Sequence, residues 1–418
     1  MLEEILSRTN MLQAYTRVVS NQGSPGVDKM PVESLHDHVK HNWISIRKQI
    51  EISTYIPSAV RKVEIPKPNG GVRLLGIPTV TDRLIQQAIA QVLCRYYDSR
   101  FSENSYGFRP NRSAHQAVVK AQSYLNEGYT HVIELDLEKF FDKVNHDKLM
   151  TLLSYQIKDK SLLKLIRRYL RTGIMDGGLV QVRTEGTPQG SPLSPILSNI
   201  LLDELDKELE RRCLRFVRYA DDVSIYVKSR RSSERVLRSI TEYIENILML
   251  KVNKVKSRIS RPSKSNLLGF TFGKRDSLWR PYVSSKSKQR LKGKIKSITG
   301  RSRSLNIKVR LSKLFQTTIG WCNYFKLADC GSFLKELDKW IRFRIRMCLW
   351  KSWKVPQKRI RELVKLGTEK WKAYRNGNTR KGYCRVAHSG ILQGTLTNTE
   401  LERLGFQPLF NYYNSRHV

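Results

Sequence analysis

The sequence predicts an α+β protein with more than one domain. Short segments typical of β-strands, including two hairpin patterns, lie before residue 286, and amphipathic helical patterns dominate after it. The chain has 418 residues, more than one ordinary domain holds, and 40% of them are apolar. That apolar share is enough to form cores, so we expect folded domains and not a disordered chain.

The charge of the chain points to a polyanionic partner. The formal net charge is +39, and residues 281–418 carry 31 Lys and Arg against 7 Asp and Glu. Nucleic acid is the first candidate and an acidic membrane surface the second, since a solvated surface that merely uses Lys and Arg rarely reaches this charge.

Several function classes do not fit the sequence. No segment reaches the roughly 18 apolar residues that a membrane helix needs, and "MLEEILSRTN" is acidic where a signal peptide is basic. The 6 cysteines show no paired metal-ligand spacing. We therefore expect a cytoplasmic protein with reduced thiols, no zinc site and no membrane contact.

The N-terminal elements follow from periodicity and turn residues. Residues 1–21 predict one helix, which "NQGSPGVDKM" ends with Gly and Pro. "VRKVEIPKPNGGVRLLGIP" predicts a hairpin with its turn at residues 68–71. Residues 81–97 predict a helix that Thr81 or Asp82 caps.

The later elements carry the polar residues of interest. "THVIELDLEKFFDKV" predicts a buried strand that runs into a helix, and "GTPQGSPLSPILSNILLDELDKELERR" a loop followed by a long helix. "RFVRYADDVSIYVKS" predicts a second hairpin. Basic helices follow residue 286, with Gly367 as a stop signal, and an irregular basic region follows residue 368.

Three aspartates form the candidate catalytic group. Asp221 and Asp222 lie at the turn of the second hairpin, where a solvated turn is the simplest interpretation. Asp136 ends the apolar strand "VIELD", and strands of a mixed sheet can bring it beside Asp221. Three converging carboxylates repel one another and need cations, for which Mg²⁺ is suited. Two such ions, about 3.5–4 Å apart, can activate a 3′-hydroxyl and stabilise a leaving pyrophosphate.

An ordered set of motifs resembles the reverse transcriptase blocks of group II intron-encoded proteins, most closely the bacterial class C type. The blocks are "IPKPNGGVR", "SYGFRPNRSAHQA", "DLEKFFDKVNH", "GTPQGSPLSPILSNILLDELD", "RYADD", "LKVNKVKS" and "LLGF". "GWCNYF" and "WIRFRIRMCLWKSWK" resemble the maturase or thumb region of that family. No Cys/His cluster follows, so we expect no endonuclease, and priming from a nascent strand at a replication fork.

The resemblance implies a right-hand polymerase with fingers, a palm containing an antiparallel sheet, a helical thumb and a small C-terminal basic module. Residues 1–85 would form the N-terminal extension and fingers, which also include about 100–125 and 145–185. Residues 86–285 would form the palm, 286–367 the thumb or maturase domain, and 368–418 a basic DNA-binding module.

The resemblance also implies roles in the palm. Asp136, Asp221 and Asp222 would bind the metal ions together with the backbone carbonyl of Leu137, and Asp222 would be the least direct ligand. The other expected palm residues are a pair under the primer end, Tyr219 and Ala220, and an aromatic steric gate against ribonucleotides, Phe141. The sequence alone makes Phe140 and Phe141 both candidates for the core, and only the spacing from Asp136 favours Phe141 as the gate.

The remaining nucleotide and template contacts rest on the same resemblance. A basic pair in the fingers, Lys67 and Arg73, would grip the triphosphate of the incoming dNTP. Gln189 would contact the nucleotide, and Gly190 would let the base pair approach closely. Two roles stay open: Arg109 either holds the template backbone or braces the fingers, and Lys256 either protonates pyrophosphate or binds phosphate.

Cations interleaved with aromatic residues mark the predicted thumb. We expect most of the aromatic residues to be core and the cations to form an exposed face that binds the product duplex and intron RNA. These cations are Arg342, Arg344, Arg346, Lys351 and Lys354.

The function implied is an RNA-directed DNA polymerase that is also an intron maturase. It would bind group II intron RNA, aid its splicing and copy it into DNA during retrohoming, using two Mg²⁺ ions, dNTPs, a primer–template duplex and target DNA. A splicing maturase without polymerase activity and a retron-like or free-standing reverse transcriptase are the alternatives.

Overall fold

The computed structural model describes residues 1–66, 70–176, 179–181, 185–187, 190–302 and 305–415, with the backbone alone for residues 73, 176 and 179–181. Two units make up the chain, Met1–Pro262 and Ser263–Val418. The first unit mixes helices with two four-stranded sheets, and the second is mostly helical. The α+β prediction is confirmed. The unit boundary lies before the predicted thumb boundary at 285/286, and no division between units falls at 367/368.

The first unit alternates helices and strands along the chain. In chain order its elements are α1 (Leu2–Ile5), α2 (Arg8–Ser20), a 3-10 turn (Val32–Ser34), α3 (Leu35–Glu51), β1 (Val60–Pro66), β2 (Val72–Ile77), α4 (Val80–Asp98), α5 (Ala114–Asn126), β3 (His131–Leu135), α6 (Phe140–Lys143), α7 (His146–Gln156), α8 (Lys160–Arg171), β4 (Ile174–Asp176), β5 (Leu179–Gln181), α9 (Ser194–Arg211), β6 (Arg215–Tyr219), β7 (Asp222–Val227), α10 (Arg230–Asn246) and β8 (Arg258–Ser260).

The central sheet of the first unit is antiparallel, with strand order β6-β7-β3-β8. Its strands are rich in buried apolar residues because α9 and α10 pack against it. Fully buried examples are Ile133 on β3, Phe216 on β6 and Ile225 on β7. This sheet is the predicted palm sheet.

The second sheet has the order β2-β1-β4-β5 and contains the predicted β1–β2 hairpin. Residues 67–69 of its turn lie outside the described residues. The predicted cap of the following helix is wrong. Thr79 caps α4 by accepting a hydrogen bond from the N–H of Asp82, because Asp82 itself is buried and serves as a hydrogen-bond acceptor for several groups.

The single predicted N-terminal helix is two helices. Ser7 ends the first turn and caps α2, accepting a hydrogen bond from the N–H of Asn10. A serine hydroxyl can accept a hydrogen bond from a backbone N–H that a continued helix would otherwise satisfy. The helix can therefore break at Ser7 while the helical spacing of apolar residues continues on both sides of the break.

The second unit begins with a hairpin and continues as helices. Its elements are β9 (Phe270–Arg275), β10 (Leu278–Val283), α11 (Ser285–Ile298), α12 (Ile307–Tyr324), α13 (Gly331–Ser352), α14 (Pro356–Lys365), α15 (Lys370–Gly377), α16 (Tyr383–Ala387), α17 (Gly390–Thr395), α18 (Asn398–Arg403) and α19 (Leu409–Asn414). Gly367 adopts φ +89° just after α14, as its predicted stop role requires.

The C-terminal helices belong to the core of the second unit. The buried carboxylate of Asp338 on α13 accepts hydrogen bonds from the N–H groups of Leu409 and Phe410, both at 3.0 Å. The hydroxyl of Tyr413 donates to the carbonyl of Ala328 at 2.8 Å. The end of the predicted C-terminal basic module therefore packs against α13 and the segment before it. Within the described residues, no helix is both long enough and apolar enough to cross a membrane.

Candidate active site

The β6–β7 turn presents two of the predicted aspartates. Tyr219 pairs with Asp222, so Ala220 and Asp221 form the connection between the two strands. Ala220 adopts φ +57°, a left-handed conformation that is uncommon for a residue other than glycine. The tight turn predicted from sequence is confirmed.

The third aspartate arrives from the neighbouring strand. β3 and β7 are antiparallel, and their last pair is Leu135 with Val223. The register, continued by one residue, places Asp136 opposite Asp222 at the same edge of the sheet. The sheet thus brings the three carboxylates of residues 136, 221 and 222 to one edge, although the first two lie 85 positions apart in the chain.

The segment after α10 fixes the backbone of Asp136. Its carbonyl accepts a hydrogen bond from the N–H of Asn253 at 2.8 Å, and its N–H donates to Oγ of Ser257 at 3.1 Å. Beside it, Leu137 forms an isolated bridge with Val252. The two hydrogen bonds of that bridge are made by the backbone groups of the residues on either side of Leu137. The Leu137 carbonyl is therefore not used in the pairing of these two segments.

The raised pKa of Asp222 indicates that its negative charge is disfavoured at this edge. Desolvation is the largest cause and the negative charges of Asp221 and Asp136 come next; together they raise the pKa of Asp222 to about 6, although the residue is exposed. The ammonium of Lys256 lies 3.2 Å from Oδ2 of Asp136 and supplies part of the missing positive charge.

The donor set fits a hard divalent cation in its chemistry. All the candidate ligands are oxygens, which Mg²⁺ and Mn²⁺ prefer. Within the part of the chain that the structure describes, no three Asp, Glu, His or Cys side chains are already close enough to hold a metal ion. Asp136, Asp221 and Asp222 share one edge of the sheet, and their like charges repel one another.

Two family models match the chain in the same order as these features. "Reverse transcriptase (RNA-dependent DNA polymerase)" matches residues 65–272, and "Group II intron, maturase-specific domain" matches residues 288–367. Protein YkfC of Escherichia coli is 31% identical over 299 residues, which cover 62% of this chain and 78% of YkfC. The chain belongs to the group II intron reverse transcriptase family.

A second relative confirms the family but is much longer. The group II intron-encoded protein LtrA of Lactococcus lactis is 36% identical over 207 residues, which cover 49% of this chain and 34% of LtrA. The predicted fold class, family and enzyme class are confirmed at the level of these domains. The class C resemblance stays a prediction. Members of this family use divalent metal ions, which agrees with the acidic edge.

The steric-gate prediction can be compared with burial. Phe140 is buried and belongs to the core, whereas Phe141 is only partly buried and meets it edge-to-face, with ring centroids 5.3 Å apart. Lys139, just before α6, adopts φ +47°. This left-handed residue changes the direction of the chain between β3 and the two phenylalanines. Of the two rings, Phe141 therefore has the exposure that a gate needs.

Several predicted nucleotide contacts lie outside the described residues: Lys67, Gln189 and the side chain of Arg73. Thr187 and Gly190, on either side of the undescribed residues 188–189, are described. The N–H of Thr187 donates to the carbonyl of Phe141, and a Cβ on Gly190 would lie 3.2 Å from the carbonyl oxygen of Gly76 on β2. Glycine at position 190 thus permits a close approach to β2.

The structure places the side chain of Arg109 in contacts within the protein. Its side chain is 3% exposed and pairs with Asp98, with Nε 2.8 Å from Oδ1. Nη1 also donates to the carbonyls of Ser102 and Ser105. These contacts hold the end of α4 to the following loop. The choice between holding the template backbone and bracing the fingers stays a prediction.

The prediction of an exposed cationic face on α13 is wrong for two of its members. Arg346 is 8% exposed, and its Nε donates to the carbonyl of Leu396 at 2.8 Å. Arg344 is half-buried and donates to Oγ1 and the carbonyl of Thr299. Burial lowers the pKa of both groups. Of the other cations, Lys354 is exposed, Arg342 and Lys351 are partly buried, and Lys351 contacts the Arg301 carbonyl.

Sequence reasoning missed a buried polar group beneath the turn, formed by Arg218, Asp206, Asn199 and Gly107. Arg218 and Asp206 are both 0% exposed and form an ion pair. A signal was present, because Arg218 interrupts the apolar strand "RFVRY" one residue before the turn sequence. An arginine there needs a buried partner.

Proposed function

We propose that this chain is an RNA-directed DNA polymerase that also acts as an intron maturase, binding group II intron RNA to aid splicing and copying it into DNA during retrohoming. One observation carries the proposal. Asp136, Asp221 and Asp222 share one edge of the sheet inside the region that matches a reverse transcriptase, and a maturase-specific domain follows it.

The metal site of the proposal consists of Asp136, Asp221 and Asp222, with the carbonyl of Leu137. Two Mg²⁺ ions are the proposed occupants, because their ligands are hard oxygens and phosphate exchange needs retained waters. When bound, such ions would activate the primer 3′-hydroxyl and stabilise the charge on the leaving pyrophosphate.

The chain's own residues would align the primer and nucleotide. The β6–β7 turn holds Tyr219 and Ala220 next to the carboxylates, where the primer end would lie. Phe141 would stand against the sugar of the incoming dNTP, and the Thr187–Phe141 bond ties that ring's backbone to the loop that contains Gln189. Lys67 and Arg73 would bind the triphosphate, where fixed cations stabilise developing charge.

The net charge of +39 supports the proposed partners, which are intron RNA, a primer–template duplex and target DNA. Exposed cations of the second unit, such as Lys354, would contact phosphates in the thumb. The bacterial cytoplasm is the proposed location, since intron RNA and its DNA targets are found there. The proposed domain roles are fingers and palm for the first unit and thumb with DNA-binding tail for the second.

Primer extension on poly(rA)/oligo(dT) with Mg²⁺ tests the proposal. We expect the wild-type chain to incorporate dTTP and Asp221→Asn to lose at least 1,000-fold in rate while its affinity for intron RNA stays within about twofold. Asp276→Asn, at the turn of the β9–β10 hairpin, is the matched control. If the wild-type chain extends no primer but still accelerates intron splicing, the alternative function, a splicing maturase without polymerase activity, would be supported.

A further inference from the structure

We propose that Arg218 is a positioning residue that holds the β6–β7 turn in its metal-binding shape, with Asp206 and Asn199 acting through it. The inference rests on the proposed function, because it concerns how the same carboxylates are oriented. It adds three residues that would touch neither substrate nor metal. Each of the three is buried, on α9 or on β6.

The guanidinium of Arg218 has a partner on every nitrogen. Nε lies 2.8 and 2.9 Å from the two carboxylate oxygens of Asp206, and Nη2 lies 2.5 Å from Oδ2. Nη1 donates to Oδ1 of Asn199 at 2.9 Å and to the carbonyl of Ala220 at 3.1 Å. Asp206 and Asn199 are seven residues apart on α9 and so lie on one helix face.

The bond to the Ala220 carbonyl bears directly on Asp221. That carbonyl belongs to the peptide group that joins Ala220 to Asp221, so fixing its direction fixes the plane from which the Asp221 side chain emerges. Ala220 is in the left-handed region at φ +57°, which an alanine does not favour. A buried donor that binds the carbonyl in this conformation therefore selects the turn that presents Asp221.

A second contact holds the turn from the other side. A Cβ on Gly107 would lie 2.2 Å from the backbone nitrogen of Ala220, so only glycine permits this approach. Nδ2 of Asn199 donates to the Gly107 carbonyl at 2.9 Å. Asn199 thus links Gly107, which lies against Ala220, to Arg218.

The backbone of Arg218 is fixed as well. Its N–H donates to the carbonyl of Asn104, and its carbonyl accepts from the N–H of Tyr106, both at 2.9 Å. The strand that leads into the turn is therefore paired with the loop that carries Gly107. These two hydrogen bonds bring the "SYGFRP" and "RYADD" segments together.

An ion pair buried this deeply is a weak source of stability. Apolar residues of similar size often replace such pairs with little loss of stability, but they cannot bind the Ala220 carbonyl. Positioning and folding can therefore be separated by the double variant Asp206→Leu/Arg218→Met, which leaves no unpaired charge. The exposed pair Asp147–Arg167, replaced in the same way, is the matched control.

The test is an electron paramagnetic resonance titration of Mn²⁺ into the full-length chain without nucleic acid, read beside thermal unfolding and primer extension. For the double variant we expect a folded chain, RNA affinity within about twofold of wild type, and Mn²⁺ affinity lower by about tenfold or more. We expect kcat to fall at least as much, with KM for dTTP nearly unchanged. The control pair should change none of these.

Wild-type Mn²⁺ affinity and kcat in the double variant would overturn the proposal. If the double variant does not fold, Gly107→Ala decides, because it pushes on Ala220 without touching the ion pair. Gly107→Ala should weaken Mn²⁺ binding by a similar factor, and unchanged binding would refute the positioning role. A wild-type chain that binds Mn²⁺ but extends no primer would contradict the proposed function and leave this inference standing.

Discussion

The ammonium of Lys256 lies 3.2 Å from Oδ2 of Asp136, so a movable cation already faces the carboxylate edge of the sheet. The lysine side chain is 66% exposed and that of Asp136 is 33% exposed. A pair this accessible is easily exchanged for another cation. Under the proposed function, a divalent ion at this edge would therefore compete with Lys256 for Asp136.

Lys256→Gln should therefore strengthen divalent metal binding. An exposed ion pair contributes about 0.2–1 kcal/mol, so Mn²⁺ affinity of the free chain should rise by no more than about fivefold. Isothermal titration of Mn²⁺ measures the change, and Lys339→Gln, from an exposed pair on α13, is the control. Weaker Mn²⁺ binding would contradict the exchange. The pH dependence of kcat in the same variant tests whether Lys256 also protonates pyrophosphate.

The raised pKa of Asp222 predicts how stability depends on pH without metal. Between its ordinary value of 3.8 and about 6, the folded chain holds a proton that the unfolded chain has released. The contribution of Asp222 to the free energy of unfolding is therefore full below pH 4 and decreases as pH rises to 6. Denaturant unfolding with a chelator from pH 4 to 7 measures it.

Asp222→Asn should remove this decrease and so flatten the profile relative to wild type. Metal binding has the opposite dependence, since the ion competes with the proton, and Mn²⁺ affinity should increase up to about pH 6. A variant profile that parallels wild type across this range would show that Asp222 is not perturbed.

The position of each aspartate could be predicted from sequence because its causes are local: Asp136 follows an apolar strand, and Asp221 and Asp222 lie at a hairpin turn. Their meeting depends on the pairing of β3 with β7, which the sequence allowed but did not specify. The cap of α4 and the burial of Arg346 have causes elsewhere in the chain. Asp82 is buried by Tyr55 and Tyr169, and Arg346 is buried by the segment at Leu396, which comes 50 residues later.

The buried position of Asp82 predicts a stability defect without a catalytic one. Its carboxylate accepts hydrogen bonds from the hydroxyls of Tyr55, Thr79 and Tyr169 and from the N–H of Ser58. Asp82→Asn would place an amide donor against these donors, and we expect a loss of about 2–3 kcal/mol in the free energy of unfolding. Urea unfolding measures this loss.

The activity of Asp82→Asn per folded molecule should stay near wild type, since the residue lies on α4 and outside the acidic edge. Asp37→Asn, an exposed aspartate on α3, is the control and should unfold like wild type. Equal stability of both variants would mean that the four hydrogen bonds contribute little.

The corrected burial on α13 changes which cations should contact nucleic acid. Arg346→Met should lower the unfolding midpoint of the second unit, because Arg346 holds the Leu396 carbonyl, and should leave the salt dependence of RNA binding unchanged. Lys354→Ala/Lys358→Ala removes two exposed cations and should reduce the slope of log K against log salt by up to about 2.

Filter binding of intron RNA between 50 and 300 mM salt measures both variants, with circular dichroism as the folding control. A changed slope in Arg346→Met with an intact fold would show that its guanidinium reaches phosphate. An unchanged slope in the lysine double variant would remove these two residues from the RNA-binding surface.

Phe141 predicts a defect in sugar selection. A ring against the 2′ position would clash with the 2′-hydroxyl of a ribonucleotide. A deoxyribonucleotide lacks that hydroxyl and would bind almost unaffected. Phe141→Ala should therefore raise kcat/KM for UTP by about tenfold or more on poly(rA), while the value for dTTP changes by less than about threefold. Steady-state primer extension with each nucleotide measures the ratio.

Phe140 provides the matched control because it is the same residue type one position earlier and is buried in the core. Phe140→Leu should cost stability and leave the UTP/dTTP ratio unchanged, since its ring does not reach the surface. If Phe141→Ala discriminates like wild type, or if Phe140→Leu changes the ratio, the gate does not lie at position 141. The spacing from Asp136, the one feature that singled Phe141 out in the sequence, would then have misled.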